Sequence, residues 1–550
     1  MKKNGLTTAI IAGFAGVAGI GSIADAVNLN PDGLGEVLIY PYYTVNAGND
    51  TAITVVNTTN VGKAVKVRIL EGRNSREVLD FHLYLSPFDV WAATIFSIPT
   101  GLAGAPAAAL LTRDRSCTAP DIVRGGVGSA VAVGNGLEQL PDGRYYVPFV
   151  NFAYVPDSVL PASVGDGLER TREGYIEIIE MAEIVDATPP DGWITHSSAG
   201  EPANCTALNQ SWFGNPAPAN GFAATGGLGG TPAAPWTNIP TGGLFGNAFI
   251  VKPANGTILS YEADALQGFA FSRLHLPPGD VRPSLIDVED PTSSSSATAF
   301  VFDGTGVIAA TYDSVPNEAA KVDAISALYA SPRVMNEFFL DAGGAVTGTT
   351  EWVLNFPTKR FHVDDDPTLS ASGGVGSPLV TAVRAPFQTA FQNGSCEVIG
   401  ITVYDREEQT TVNQGGGFSP PRPGNPPSSL CWEAQVVTFD QAAAATGPSS
   451  LLGSTYANNI ATNYNNGWAI LSFQGTGGGA PAGGPPAMRP SVAPNAGRIF
   501  RGLPVTGFFA FNYDNANAAS GTLANYSGLF RHRTERQCQQ GSLTAPGICS

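Results

Sequence analysis

The chain is short of the residues from which most recognisable active sites are built. Its 550 residues include five histidines, at 82, 196, 275, 362 and 532, and none stands in an H-x-x-x-H or H-x-H spacing. That removes the helical zinc-hydrolase pattern, which needs two histidines on one helix face. No G-x-x-x-x-G-K-[ST] phosphate loop occurs, and no G-x-S-x-G elbow; "HSSAG" at 196–200 lacks the first glycine. None of the six cysteines sits in a C-x-x-C pair, which argues against a zinc or thioredoxin-like motif. Basic residues are scarce, 29 Lys and Arg against 46 Asp and Glu, for a net charge of −17. Without clustered cations to displace counterions, nucleic acid is not an expected partner, nor is an anionic lipid surface.

What is present points to export. "MKK" followed by "LTTAIIAGFAGVAGIGSIA" and "ADA" has the positive start, small-residue apolar stretch and small-x-small end of a cleaved leader, residues 1–26. The mature chain then starts at Val27 with 27 basic and 45 acidic residues, a net of −18, and no transmembrane segment is expected in it. Six cysteines, Cys117, Cys205, Cys396, Cys431, Cys538 and Cys549, fit an oxidising compartment. Proximity pairs Cys396 with Cys431 and Cys538 with Cys549, leaving Cys117 with Cys205.

Sixty-five glycines and 42 prolines imply many turns and a mainly β fold. In "VKVRILEGRNSREVLDFHLYLSPFD", residues 65–89, Val65, Val67 and Ile69 alternate with Lys66 and Arg68, and Leu79, Phe81 and Leu83 with Asp80, His82 and Tyr84. Period-two alternation joined by a polar turn predicts a hairpin with one apolar and one wet face, and places His82 on the wet face. Flanking runs extend this to a sandwich-like domain over 27–115. An irregular, loop-rich region follows over 116–246, where "GYIEIIEMAEIV" fits either a helix or a bulged strand. Residues 247–414 read as β-rich with a helix at 317–330, capped by Asn317 and stopped by Pro332. Residues 415–550 read as a C-terminal β-rich region. The expected class is therefore an antiparallel β-sandwich, immunoglobulin-like, with long Gly/Pro-rich loops and one or two short helices.

Three groups of residues are candidates for binding. Asp364, Asp365 and Asp366 in "HVDDDP" offer hard oxygens for calcium, although their spacing matches no EF-hand; "DVEDP", "NPDGLGE" and "NYDNAN" are weaker versions. Trp193, Trp212 and Trp236, with Tyr40, Tyr42 and Tyr43, could stack on sugars or enter a partner. No catalytic residues are assigned and an enzyme is not expected. An acidic, lysine-poor, disulfide-stapled chain of this kind is similar in composition to bacterial surface-layer and extracellular fibre subunits, a likeness that rests on no motif. It implies a secreted cell-surface structural protein that self-associates as a homo-oligomer or array, or joins other surface components. The alternative is a secreted adhesin or carbohydrate-binding protein that takes polysaccharide, stabilised by calcium. An outer-membrane barrel fits less well, given the cysteines and irregular Pro-rich loops.

Overall fold

The alternating runs form the hairpin their pattern predicts. Strands Gly62–Glu71 and Glu77–Leu85 pair antiparallel, with Val67 opposite Phe81 and Lys66 opposite His82. The structure, a computed structural model, describes residues 26–73, 75–124, 137–149, 167–184, 189–213, 237–270, 272–280, 282–286, 296–314, 320–340, 346–363, 383–389, 395–413, 429–440, 448–475, 484–515, 524–541 and 547–549. Among these the chain is mainly β, with several largely antiparallel sheets and no closed barrel.

The hairpin lies within a ten-stranded sheet that draws strands from Ala26–Leu29 through to Val307–Asp313. "GYIEIIEMAEI" is a strand, Glu173–Ile184, between Val37–Thr44 and Gly62–Glu71, and its register shifts at two places, as a bulged strand would. A seven-stranded sheet covers one face. Val65, Val67, Ile69, Phe81, Ile176 and Ile178 meet Ile53, Val55, Trp91, Ile95 and Ile250 there in one core. A fully buried Val, Leu, Ile or Phe contributes about 1.5–3 kcal/mol relative to exposure, so this seam dominates the first sandwich.

The other face is also covered. Helices Pro189–Ile194, Cys205–Phe213 and Ala320–Tyr329 and the segment around Leu274–Ile286 pack on it through Ile179, Met181, Leu208, Leu285 and Ile325. The face predicted to be wet is therefore interior: Lys66, Arg68, His82 and Tyr84 are all buried. Alternation was read as a solvated face because antiparallel sheets commonly have one. Here the polar residues pair with each other instead, Arg68 with Glu177 at 2.5 Å and Glu77 at 2.8 Å.

A second sandwich stacks a six-stranded sheet on a five-stranded one. Phe338, Ile401 and Leu471 meet Trp352, Leu354 and Phe439 between them, with Phe338 and Phe439 stacked at 5.0 Å. The five-stranded sheet turns its other face to the first sandwich. Val353, Val436, Phe508 and Ala510 enter the first core, where Phe508 stacks on Tyr261 at 5.0 Å. A wall shared by two cores explains why the end of Val346–Asn355 is buried without alternation.

Strand order departs from an immunoglobulin arrangement, which uses about seven to nine strands from one short segment. The helix at 317–330 is found over Ala320–Tyr329, and Cys205–Phe213 adds a helix the loop-rich reading did not include. Three disulfides form: Cys117–Cys205, Cys396–Cys431 and Cys538–Cys549. The first ties the edge strand Cys117–Ala119 to the helix that begins at Cys205.

The polar turn of the hairpin is a plug between the two sandwiches. The Gly72 carbonyl accepts from the Glu433 and Ala434 amides at 3.2 and 2.8 Å, and a Cβ on Gly72 would press on Ala434 and Tyr456. Arg73 lies over the rings of Tyr456 and Trp432, 4.6 and 5.4 Å from their centroids. Ser75, buried at φ 55°, accepts from Tyr175 through its hydroxyl at 2.6 Å and from Arg360 through its carbonyl at 2.8 Å. Glu173 completes the junction by accepting from the Tyr42 hydroxyl at 2.7 Å and from the Thr455 amide and hydroxyl at 2.8 and 2.7 Å. Glu173→Gln keeps the shape but turns an amide NH2 toward these donors, and the expected loss is about 3 kcal/mol of stability. Urea or thermal unfolding of the oxidised protein measures it; a change within 0.5 kcal/mol or so would show the junction to be energetically idle.

Candidate functional site

Two sheet edges meet where the sandwiches join. Strand Thr257–Glu262 ends the seven-stranded sheet and Asn525–Arg531 ends the five-stranded one. They are linked by side chains: the Ser527 hydroxyl donates to the Ile258 carbonyl at 2.8 Å and accepts from its amide at 3.1 Å. Beside this seam is an open cleft of about 520 Å³ whose walls include Phe249, Glu262, Asp264, Phe530 and Arg531. Asp264 is buried, ion-paired with Arg531 at 2.6 Å, and accepts from the Thr506 hydroxyl at 2.5 Å. Arg531 and Glu262 are exposed and Phe530 is 56% exposed. Aromatic faces beside a fixed guanidinium and a free-standing carboxylate suit a hydroxylated ligand that stacks and hydrogen-bonds.

A second constellation is sealed beneath the ten-stranded sheet. His82 is fully buried, and its ring lies 5.7 Å from Trp212 and 5.8 Å from His275. Trp212 donates to the Tyr84 hydroxyl at 2.7 Å, and that hydroxyl is 3.0 Å from His275 Nε2. Neither ring nitrogen of His82 has a hydrogen-bond partner among the described residues. Burial, together with Lys66 and His275, holds the imidazole well below its ordinary range, so it is neutral in the fold. Lys66 contacts Asp80, whose carboxyl burial pushes up to about 6.

The residues expected to bind are not gathered in one place. Asp364, Asp365 and Asp366 lie outside the described residues, as do Trp236 and the "DVEDP" acids. Among the described residues no group of three or more His, Cys, Asp or Glu is assembled as a metal requires. Glu36 of "NPDGLGE" caps the chain at 268–270, accepting from the Phe269 and Ala270 amides at 2.6 and 2.8 Å. Trp193 is half-buried against the core, while Trp212 is buried and faces inward. Tyr40, Tyr42 and Tyr43 are all buried, because their strand is covered on both faces. None of these three tyrosines nor Trp212 presents a ring for stacking on an outside ligand.

The cleft was missed because its parts are far apart in sequence; Asp264 comes from a strand near the middle of the chain and Arg531 from one near its end. The one local signal was the alternation of Glu262 and Asp264 in "YEADALQGF", an acid pair in an otherwise apolar run. No protein-family model matches the chain, and no curated protein or solved structure is significantly similar to it.

The buried imidazole has a measurable consequence. The folded state keeps His82 neutral while the unfolded chain protonates it below about pH 6.5. Its folded pKa is depressed, so its contribution is complete above that pH and is lost as pH falls. His82→Gln is therefore expected to gain on the parent by about 1.4 kcal/mol per pH unit below 6.5. Denaturation midpoints of the two proteins compared from pH 7 to pH 5 test this, and parallel curves would contradict a neutral buried His82.

Proposed function

We propose that the chain is an exported structural protein of the bacterial cell surface, a subunit that associates with copies of itself. One observation carries the reading. Strand Asn525–Arg531 has a ladder partner on one side only among the described residues, yet it presents Tyr526 and Phe530, 64% and 56% exposed. Phe530 stacks on Phe511 and Phe509, each 6.1 Å away, so the exposed ring is the end of a rigid aromatic row that runs into the core. Ile258, 53% exposed, stands across the seam. The seam with Thr257–Glu262 covers the backbone edge of this strand, so it is the exposed apolar side chains that offer a face to another chain, and such clusters mark interaction surfaces.

Other features support the same reading. Three disulfides fit an oxidising compartment outside the cytoplasm. No helix among the described residues is long and apolar enough to cross a membrane, which fits attachment through partners; it says nothing of strands. Calcium at Asp364–Asp366 belongs to this proposal, with chelator-sensitive assembly as its sign. The mature chain is expected to form sheets, filaments or defined oligomers under electron microscopy and light scattering. Tyr526→Ser with Phe530→Lys is expected to lower the association constant at least tenfold, about 1.4 kcal/mol or more. A monodisperse monomer at high concentration, disulfides intact, would sink the reading.

The cleft favours a second reading, a secreted adhesin or carbohydrate-binding protein. Phe249 and Phe530 supply faces for sugar rings, and Glu262 and Arg531 supply hydrogen bonds to hydroxyl groups. Retention on an immobilised polysaccharide that is lost in Glu262→Ala, with particle size unchanged, would place this reading first.

A further inference from the structure

We propose that the Cys396–Cys431 disulfide is a redox latch on the joint between the two sandwiches: oxidised it holds the hairpin tip docked, and reduced it lets the tip go. Six non-glycine residues among the described ones have a left-handed backbone. Two of them, Ser395 at φ 47° and Trp432 at φ 69°, directly flank the half-cystines, and a third, Ser75 at φ 55°, is in the hairpin tip. Such backbone costs free energy and persists only where its surroundings enforce it.

Both flanking carbonyls turn to one amine. Lys359 Nζ donates to the Ser395 carbonyl at 2.5 Å and to the Trp432 carbonyl at 2.7 Å, and Lys359 is fully buried. The next residue, Arg360, donates to the Ser75 carbonyl in the tip at 2.8 Å. On the side of Cys431, the Trp432 ring lies beneath Arg73, and the Glu433 and Ala434 amides hold the Gly72 carbonyl. The strained flanks of the disulfide therefore lead to the tip by two short routes, one through Lys359 and Arg360 to Ser75, the other through Trp432 to Arg73. The bond itself is the two-state element. While it is formed, Ser395 and Trp432 are locked in the left-handed region. When it is broken they relax, Lys359 loses its paired carbonyls, and Trp432 turns away from Arg73.

Reduction takes an outside dithiol, and the way in is Cys431, which is partly exposed while Cys396 is buried. A thiolate of the dithiol attacks Cys431 Sγ, the Sγ–Sγ bond breaks, and Cys396 leaves as a thiolate that takes up a proton. The second thiolate of the reagent then displaces Cys431, which is protonated in turn. Two electrons pass to the cystine and the dithiol ends as its own disulfide. The other two pairs lack this combination. Cys117 and Cys205 are both buried, which denies a reductant the same approach. Cys538 is partly exposed, but among the described residues neither it nor Cys549 has a left-handed non-glycine neighbour. The latch does not depend on the surface-protein reading and stands or falls separately.

Limited trypsin digestion of the full mature chain, read by mass spectrometry at Arg73 and Arg76, is the test. The oxidised parent is expected to be cut there slowly, since Arg76 is buried. Cys396→Ala with Cys431→Ala is expected to raise that rate about tenfold or more, with cutting at the exposed Arg113 unchanged. Cys538→Ala with Cys549→Ala is expected to leave the tip at the parent rate. The parent treated with dithiothreitol, its open thiols mapped by alkylation, is expected to match the first variant and to regain protection on reoxidation; this arm decides the matter where that variant does not fold. A tip as well protected without the disulfide as with it overturns the proposal, and so does a rise at Arg113 equal to the rise at the tip. Opening of Cys117–Cys205 before Cys396–Cys431 removes the redox character of the latch.

Discussion

A sheet covered on both faces must answer every polar group its strands carry inside, and the rest of this molecule follows from that requirement. Strand Glu173–Ile184 is the clearest case: all of its residues but Glu183 are buried, and its sequence carries four glutamates. Each glutamate has a dedicated partner. Glu173 meets Tyr42 and Thr455, Glu177 meets Arg68, and Glu180 and Glu183 share Lys63. Removing one partner from such a pair leaves a buried charge, typically at about 3–5 kcal/mol. A slip of one residue would exchange the two faces and strand all four at once, so the charges set the register as firmly as the apolar residues do.

The same economy of surfaces joins the two sandwiches. A hairpin tip usually lies in water, but here Arg73 is carried over the rings of Tyr456 and Trp432 in the second half. The backbone of Gly72 and Ser75 completes hydrogen bonds there. Farther along the interface the segment at 449–454 docks on 44–49. The Thr44 hydroxyl donates to the Leu452 carbonyl at 3.0 Å, and Glu351 gathers the Leu451 and Leu452 amides at 2.7 and 2.9 Å. Gly453 sits at φ 71° where a Cβ would lie 2.7 Å from Ala47 Cβ, so that approach needs glycine. Polar loops of one sandwich thus serve as the interior of the other.

Local pattern made the hairpin legible through alternation and two cysteine pairs through proximity, the third following by elimination, whereas the run at 173–184 fitted a helix as well as the bulged strand it forms. What alternation did not reveal was which side of a strand meets water. Val65 and Lys66 occupy opposite faces just as their order implies, yet both are interior. The cover over Lys66 comes from residues more than a hundred positions later, including Trp212 and His275. Tyr40, Tyr42 and Tyr43 were misplaced for the same reason, with hydroxyls that find Thr54, Glu173 and Thr171 inside the protein. The cleft was illegible for a different reason: it exists only where the edges of two sheets meet, and no stretch of sequence contains both edges.

Lysine usage connects this interior to the outer surface. Of the five lysines beyond residue 26, Lys63, Lys66, Lys321 and Lys359 are buried, which leaves Lys252 alone near solvent. The cations that usually decorate edges and keep strands apart have been spent inside the fold, on carboxylates and carbonyls. The outside is consequently acidic, and copies of the chain repel one another at long range, a repulsion that ordinary salt screens within about 10 Å. On the proposed self-association, close contact between copies would have to come from groups that carry no charge. Strand Asn525–Arg531 has this composition: one arginine, already engaged by Asp264, beside an exposed tyrosine and phenylalanine. Its neighbour across the seam offers Ile258 and no lysine. If copies associate as proposed, repulsion at a distance combined with apolar contact at this one face would favour a single mode of approach over indiscriminate clumping.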